Sequence, residues 1–310
     1  MQSVVLIINP GSTSTKFAVF HGDRCIFDQT LNHSAEELSG FSTIASQYEF
    51  REKAIQEALK ERDFDMSSLN AVVGRGGLLH PIPGGIYRIN EAMKADLLAA
   101  RYGEHASNLG ALIADTFAKQ FGIPAFIVDP VVVDELEDVA RVSGHKLFKR
   151  ISIFHALNQK AVARRFAKER GINYEDITLI VAHLGGGISV GLHRKGRVID
   201  VNQALSGEGP FSPERSGTLP AGDLARLCFS GQYTLQEVLK MITGKGGMVS
   251  FLGTNNMRDI EHMRDQGNKE ADFYFQAFVY QVGKYIGSLA PVVEGKVDAI
   301  IGRASCRKRV

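Results

Sequence analysis

Cysteine is scarce in this 310-residue chain: Cys25, Cys228 and Cys306 are the whole set. Their spacing fits neither a metal site nor a redox pair, which excludes a disulfide-stapled secreted fold and suits a reducing cytoplasm. An excess of one charge is missing too. Lysine and arginine total 36 against 34 acidic residues, evenly spread, so nothing calls for a nucleic-acid partner or an anionic membrane. No apolar run is long enough to span a bilayer, and no charged-then-apolar leader precedes the first apolar stretch. Gly244-Lys245-Gly246-Gly247 follows a helical pattern and reads as its terminator, not as a Walker-type phosphate loop. What remains is a soluble intracellular α/β protein, long enough for two domains.

The most informative stretch is Val4 to Phe20. Val4-Val5-Leu6-Ile7-Ile8 is a short, β-branched apolar run stopped by Asn9-Pro10-Gly11, which predicts a buried strand. Ser12, Thr13, Ser14, Thr15 and Lys16 follow, then an alternating strand from Phe17 to Phe20. The turn between them carries backbone N–H groups, hydroxyls and one ammonium. Gly11 permits close approach of a ligand, and successive turn N–H groups form an anion-binding concavity. A plain polar hairpin turn is the competing reading. The plan then recurs about 170 residues later. A strand (Thr178 to Ala182) meets Gly185-Gly186-Gly187, a second strand follows (Ile188 to Leu192), then Lys195-Gly196 and a third strand (Val198 to Val201). Two copies suggest a duplicated domain with two phosphate-gripping hairpins facing one cleft.

Between the copies, helices are predicted over about Tyr48 to Arg62, from an Asn90 cap through Tyr102, from Ser107 or Asn108 to Phe121, and from Phe154 to Arg170, with Gly122 and Gly171 as stops. Asn70 to Gly74 and Ala125 to Val128 read as strands delivering Arg75 and Asp129 at their carboxyl ends, where ligands collect in α/β sheets. The stretch Leu79 to Ile86 reads as a stiff loop. The domain boundary is placed near residue 150, giving domains 1–150 and 151–310. The Gly/Pro-rich loop Ser206 to Pro220 is long enough to suggest function. Short helices, a long amphipathic helix over Glu270 to Leu289 and a strand over Val297 to Ile301 complete the second half.

Ile8 to Lys16, Gly74-Arg75-Gly76-Gly77, Ala182-His183-Leu184-Gly185-Gly186-Gly187 and Pro213-Glu214-Arg215-Ser216-Gly217 together resemble the acetokinase family, most closely its butyrate kinase branch. The resemblance runs from the first strand to about Ile301. It implies a duplicated, two-domain actin-like ATPase (ribonuclease H-like) fold, with mixed sheets flanked by helices and a cleft between the domains. The implied activity is reversible ATP-dependent phosphorylation of a short-chain or branched carboxylate, with acetate or propionate as alternative acceptors. ATP and Mg²⁺ are the implied cofactors and a homo-oligomer the implied assembly. A non-catalytic actin-like nucleotide-binding protein is the reading from a different class.

By the same resemblance, Arg75 and Arg215 hold the carboxylate and the transferring phosphoryl group, and His183 stabilises that group. Asp129 contacts Mg²⁺ or orients the phosphoryl, and His105 lies near the acyl substrate. Asn9, Ser12, Ser14 and Lys16 line the first hairpin, and Gly185, Gly186 and Gly187 bring backbone N–H groups to the nucleotide phosphates. The chemistry suits these residue types: phosphoryl transfer spreads charge over equatorial oxygens and needs cations and donors, not a base. The remaining histidines, His155 among them, show no ligand spacing. In the family a Gly-Gly adenosine-binding turn and further elements follow the strand at Val297 to Ile301. Here a basic stretch, Gly302 to Val310, stands in that place, so the expectation is a truncated carboxyl end, poor order over 302–310 and weak ATP binding.

Overall fold

The computed structural model describes residues 3–304. They form two compact units, Met1–Val133 and Asp134–Val310. Residues 134–150 fold with the second: Glu137 N–H donates to Ile199 O, and the ammonium of Lys160 sits 2.8 Å from Glu135 Oε2 with both side chains buried.

The first unit is built on a mixed sheet of β1 (Val4–Pro10), β2 (Ser14–His21), β3 (Arg24–Asn32), β4 (Ala71–Gly74), β5 (Ile86–Arg88) and β6 (Ala125–Val128). Their order across the sheet is β3-β2-β1-β4-β6-β5. β1, β2 and β3 form an antiparallel meander, and β4 and β6 run parallel to β1. Helix Asn108–Phe121 lies on this sheet. Its Leu109, Ile113 and Phe117, spaced by four residues, are fully buried with Leu6, Ile8, Val72 and Ile127. Truncating Phe117 to Ala would cost about 3–5 kcal/mol.

The second unit holds β7 (Thr178–Leu184), β8 (Ile188–Arg194), β9 (Arg197–Val201) and β10 (Ala299–Ala304), in the order β10-β7-β8-β9. Alternate residues of β7 enter different cores. Ile180 and Ala182 pack with Val282 and Leu289 of helix Lys269–Leu289. Leu179 and Val181 pack with Ala163 and Ala167 of helix Ala156–Arg170. The sheet is thus covered on both faces, which is why β7 is a continuous apolar run.

The two sheets repeat one plan in detail. β4 pairs parallel with β1 starting at its second residue (Val5 with Ala71), and β10 pairs with β7 in the same way (Leu179 with Ala299). Each meander carries a register shift between the third-last and second-last residues of its middle strand, at Val19/Phe20 and at Leu192/His193. The shared position of the bulge is in keeping with two copies of one plan. Asn9 and His183 occupy corresponding positions, next to last in their strands.

Three segments differ from the sequence reading. The helix capped by Asn90 ends at Leu98, short of Tyr102. Ala100 takes a left-handed φ of 46°, and the amides of Ala100 and Arg101 bond to Leu97 O and Asp96 O. This Schellman closure uses alanine where glycine is usual, so its sequence signal is absent. Ile86, read as the end of a loop, opens the three-residue edge strand β5 against β6. The last strand spans Ala299–Ala304, so Gly302 and Arg303, expected to be poorly ordered, pair with Ala182 and His183. Residues 305–310, including Cys306, lie outside the described residues.

Candidate functional site

The β1–β2 turn is held from beneath by a residue that sequence reading passed over. Arg51, on helix Tyr48–Lys60, is 0% exposed. Its guanidinium donates to Gly11 O (2.7 Å), Ser12 O (2.9 Å), Ser14 O (3.0 Å) and Thr15 Oγ1 (3.1 Å). Two further bonds reach Gln47 Oε1 at 2.9 and 3.2 Å. Thr15 is buried and its hydroxyl also meets His33 Nε2 at 2.8 Å. Burial and the neighbouring guanidinium hold the His33 pKa below its ordinary value. The helical spacing of Gln47 and Arg51 was the only signal available.

On the outer side of this turn Asn9, Ser12 and Lys16 are exposed and Ser14 is half-buried. Asn9 and Lys16 are direct cross-strand partners, so their side chains share a face. Arg75 extends the β4–β1 ladder by one bond, from its N–H to Ile8 O at 2.8 Å. Its Nη1 donates to Asn9 Oδ1 at 3.2 Å. Asn9, Lys16 and Arg75 are therefore brought together: two cations and one amide with no carboxylate paired to them among the described residues. Burial lowers the Arg75 pKa without threatening its charge.

The glycines around Arg75 are spatial requirements. A Cβ on Gly74 would lie 2.1 Å from Gly110 O, and one on Gly77 would lie 2.4 Å from Asn108 Oδ1. The strand end thus runs directly against the first turn of helix Asn108–Phe121. His105 stands at the entry to that helix. Its Nδ1 accepts from Ser107 N at 3.1 Å and lies 2.8 Å from Ser107 Oγ. These bonds fix the turn ahead of the helix, whose N-cap Ser107 makes no side-chain capping bond.

Asp129 follows β6 as expected. It is 1% exposed with a left-handed φ of 38°. Its Oδ1 accepts from Gly85 N at 2.8 Å, and its own N–H donates to Gly85 O at 2.9 Å. The carboxylate thereby pins the Pro/Gly loop. Among the described residues no group of three or more His, Cys, Asp or Glu could cage a metal ion.

In the second unit, His183 is next to last in β7 and 8% exposed. Its Nδ1–H donates to Asn158 Oδ1 at 2.8 Å. The ring of His155 stacks on it with centroids 3.9 Å apart and planes 14° from parallel. Sequence reading set His155 aside; only the fold brings it to His183. A continuous chain of bonds supports it. Tyr174 O–H donates to His193 Nδ1 (2.6 Å), His193 Nε2–H to Gln159 Oε1 (2.9 Å), Gln159 Nε2–H to Ser189 Oγ (2.8 Å), and Ser189 O–H to His155 Nδ1 (2.9 Å).

Arg215 is brought to the second glycine turn. Its Nη1 donates to Ala204 O and lies where a Cβ on Gly187 would fall, 2.1 Å from it. Ser212 Oγ accepts from Arg215 N at 3.1 Å and donates to Gly186 O, locking the loop to the turn. Arg215 Nε is buried without a hydrogen-bond partner. Gly185 is half-buried, Gly186 exposed and Gly187 buried.

Doubled meanders with parallel return strands, flanked by helices, make up the mixed α/β architecture of the actin-like fold. The acetate kinase of Porphyromonas gingivalis superposes with a TM-score of 0.75 at 21% identity, over 96% of this chain and 82% of that one. A propionate kinase from Francisella tularensis gives 0.72 at 20% identity, over 96% and 82%. Residues 139–306 match the acetokinase family. Butyrate kinase 2 of Clostridium acetobutylicum is 58% identical over 301 residues, 97% of this chain and 85% of that protein. A probable butyrate kinase of Listeria innocua is 53% identical over the same shares. The chain belongs to the acetokinase family.

Proposed function

We propose that this carboxylate kinase transfers the γ-phosphoryl group of ATP to butyrate or a branched acid of similar size, such as isobutyrate, giving an acyl phosphate and ADP reversibly. The observation that carries the substrate choice is the 58% identity to a butyrate kinase over 97% of the chain; the acetate and propionate kinases it resembles in fold are near 20%. The site chemistry supports the reaction. A carboxylate nucleophile needs no general base, and two anions must be brought together, so the protein supplies positive charge and donors. Arg75 offers a fork that matches a carboxylate or a phosphoryl oxygen pair. Lys16 is a point charge on the same edge. In the second unit Arg215 and the His155–His183 pair provide the donors beside the glycine turn.

Magnesium fits as an ion carried by the nucleotide. One buried carboxylate, Asp129, is enough for a cation that keeps its waters and takes phosphate oxygens, whereas the described residues offer no ligand set for a protein cage. Bound there, the ion would neutralise charge on the phosphates. Asp129 and the loop it pins would orient its waters.

The test is acyl-hydroxamate formation from ATP and Mg²⁺ with acetate, propionate, butyrate and isobutyrate in parallel. Butyrate or isobutyrate should give the highest kcat/KM. A preference for acetate or propionate would move the chain to that branch. A folded chain that phosphorylates none would instead favour a non-catalytic nucleotide-binding role.

A further inference from the structure

We propose that Arg51 is a positioning residue that sets the polarity of the β1–β2 turn, turning the amides of Ser12 and Thr13 outward to receive a phosphoryl oxygen. This rests on the kinase reading above and assigns a residue that it does not need. A trans peptide holds its C=O and N–H antiparallel. Arg51 draws the carbonyls of Gly11 and Ser12 inward, at 2.7 and 2.9 Å. The N–H groups of Ser12 and Thr13, in those same two peptides, must then point away from the guanidinium. Both residues are exposed, and neither amide has a hydrogen-bond acceptor among the described residues.

The charge adds to the geometry. A guanidinium that is fully buried usually meets a carboxylate, yet Arg51 forms no ion pair among the described residues. Its bonds end on three carbonyls, the Thr15 hydroxyl and Gln47 Oε1. Its positive charge therefore stands uncancelled behind outward-facing amides, the arrangement that favours a bound anion. At the second glycine turn a hydroxyl takes the place of the guanidinium: Ser212 Oγ donates to Gly186 O, and Gly187 is held against Arg215.

The experiment uses the full chain. In wild type, titration with inorganic phosphate should shift the amide resonances of Ser12 and Thr13. Arg51→Lys keeps the charge but loses the fork, and Arg51→Met loses both. Arg51→Lys should fold, as judged by circular dichroism, with kcat reduced by about 10²-fold, the usual consequence of misplacing a phosphate-holding group by an ångström. Its KM for the carboxylate should change little, and its Ser12 and Thr13 amides should no longer respond to phosphate. Normal kcat together with a normal amide response in folded Arg51→Lys overturns the proposal. So does a wild-type chain whose Ser12 and Thr13 amides ignore saturating phosphate, which decides the matter even if Arg51→Met does not fold. Loss of the kinase reading looks different: wild type would then phosphorylate no carboxylate while its turn amides still answered to phosphate.

Discussion

Replacing Gly187 with alanine isolates the contribution of Arg215 without touching it. The backbone at Gly187 is not left-handed, so alanine is conformationally allowed there. The obstacle is spatial: the new methyl would sit 2.1 Å from Arg215 Nη1, 2.7 Å from its Cζ and 3.2 Å from Ala204 O. Restoring a contact of roughly 3.5 Å moves the guanidinium by about 1.4 Å and breaks its bond to Ala204 O. A misplacement of that size in a phosphoryl clamp costs about 10²-fold in rate, or about 2.7 kcal/mol on the barrier. The effect on folding is smaller. Loss of a hydrogen bond from a charged donor costs about 1.5–3 kcal/mol, offset by about 0.4–1 kcal/mol for stiffening the unfolded chain. Hydroxamate kinetics should therefore show a large fall in kcat, while thermal unfolding shifts by only a few degrees. A Gly187→Ala enzyme with kcat within twofold of wild type would show that the guanidinium does not act from where it lies.

Other outcomes are expected. Arg75→Ala should lower kcat by about 10²-fold or more with the fold intact, as single electrostatic donors do; near-normal turnover would return it to a structural role beside Asn9. His183→Ala should lower kcat far more than it raises the KM for ATP, and a change confined to ATP KM would place it at the nucleotide. Gly74→Ala should act oppositely to Gly187→Ala. Its methyl meets backbone at Gly110 O, 2.1 Å away, so lost stability in urea unfolding should dominate, and an unchanged midpoint would contradict the packing. Stability should also depend on His193. Burial, with help from Lys160 and Arg164, depresses its pKa from 6.5 to about 3, and both ring nitrogens are already committed. The unfolded chain binds the proton first, so this stabilisation is present above pH 6.5 and is lost progressively as pH falls towards 3. Urea midpoints at pH 7.5 and 5 should drop less steeply in His193→Gln; equal slopes would remove His193 as the cause.

Much of this protein was legible in one dimension because its signals are local. The strand-turn-strand repeat, the αL stops at Gly122 and Gly171 (φ 65° and 68°) and the delivery of Arg75 and Asp129 at strand ends follow from residue types a few positions apart. Helix ends that rely on glycine could be read; the one closed by Ala100 could not, because alanine carries no such mark. Partners distant along the chain were invisible. Arg51 lies 40 residues from the Gly11 carbonyl that it holds, and nothing in a helix reading separates an arginine facing solvent from one buried under a turn. His155 shows no motif, and its place against His183, 28 positions on, was decided when helix Ala156–Arg170 packed on β7. The sequence by itself determined which elements form and which residues they present at their ends. Tertiary packing decided which buried groups stand behind them, because a buried donor must be satisfied by whatever the fold brings within reach.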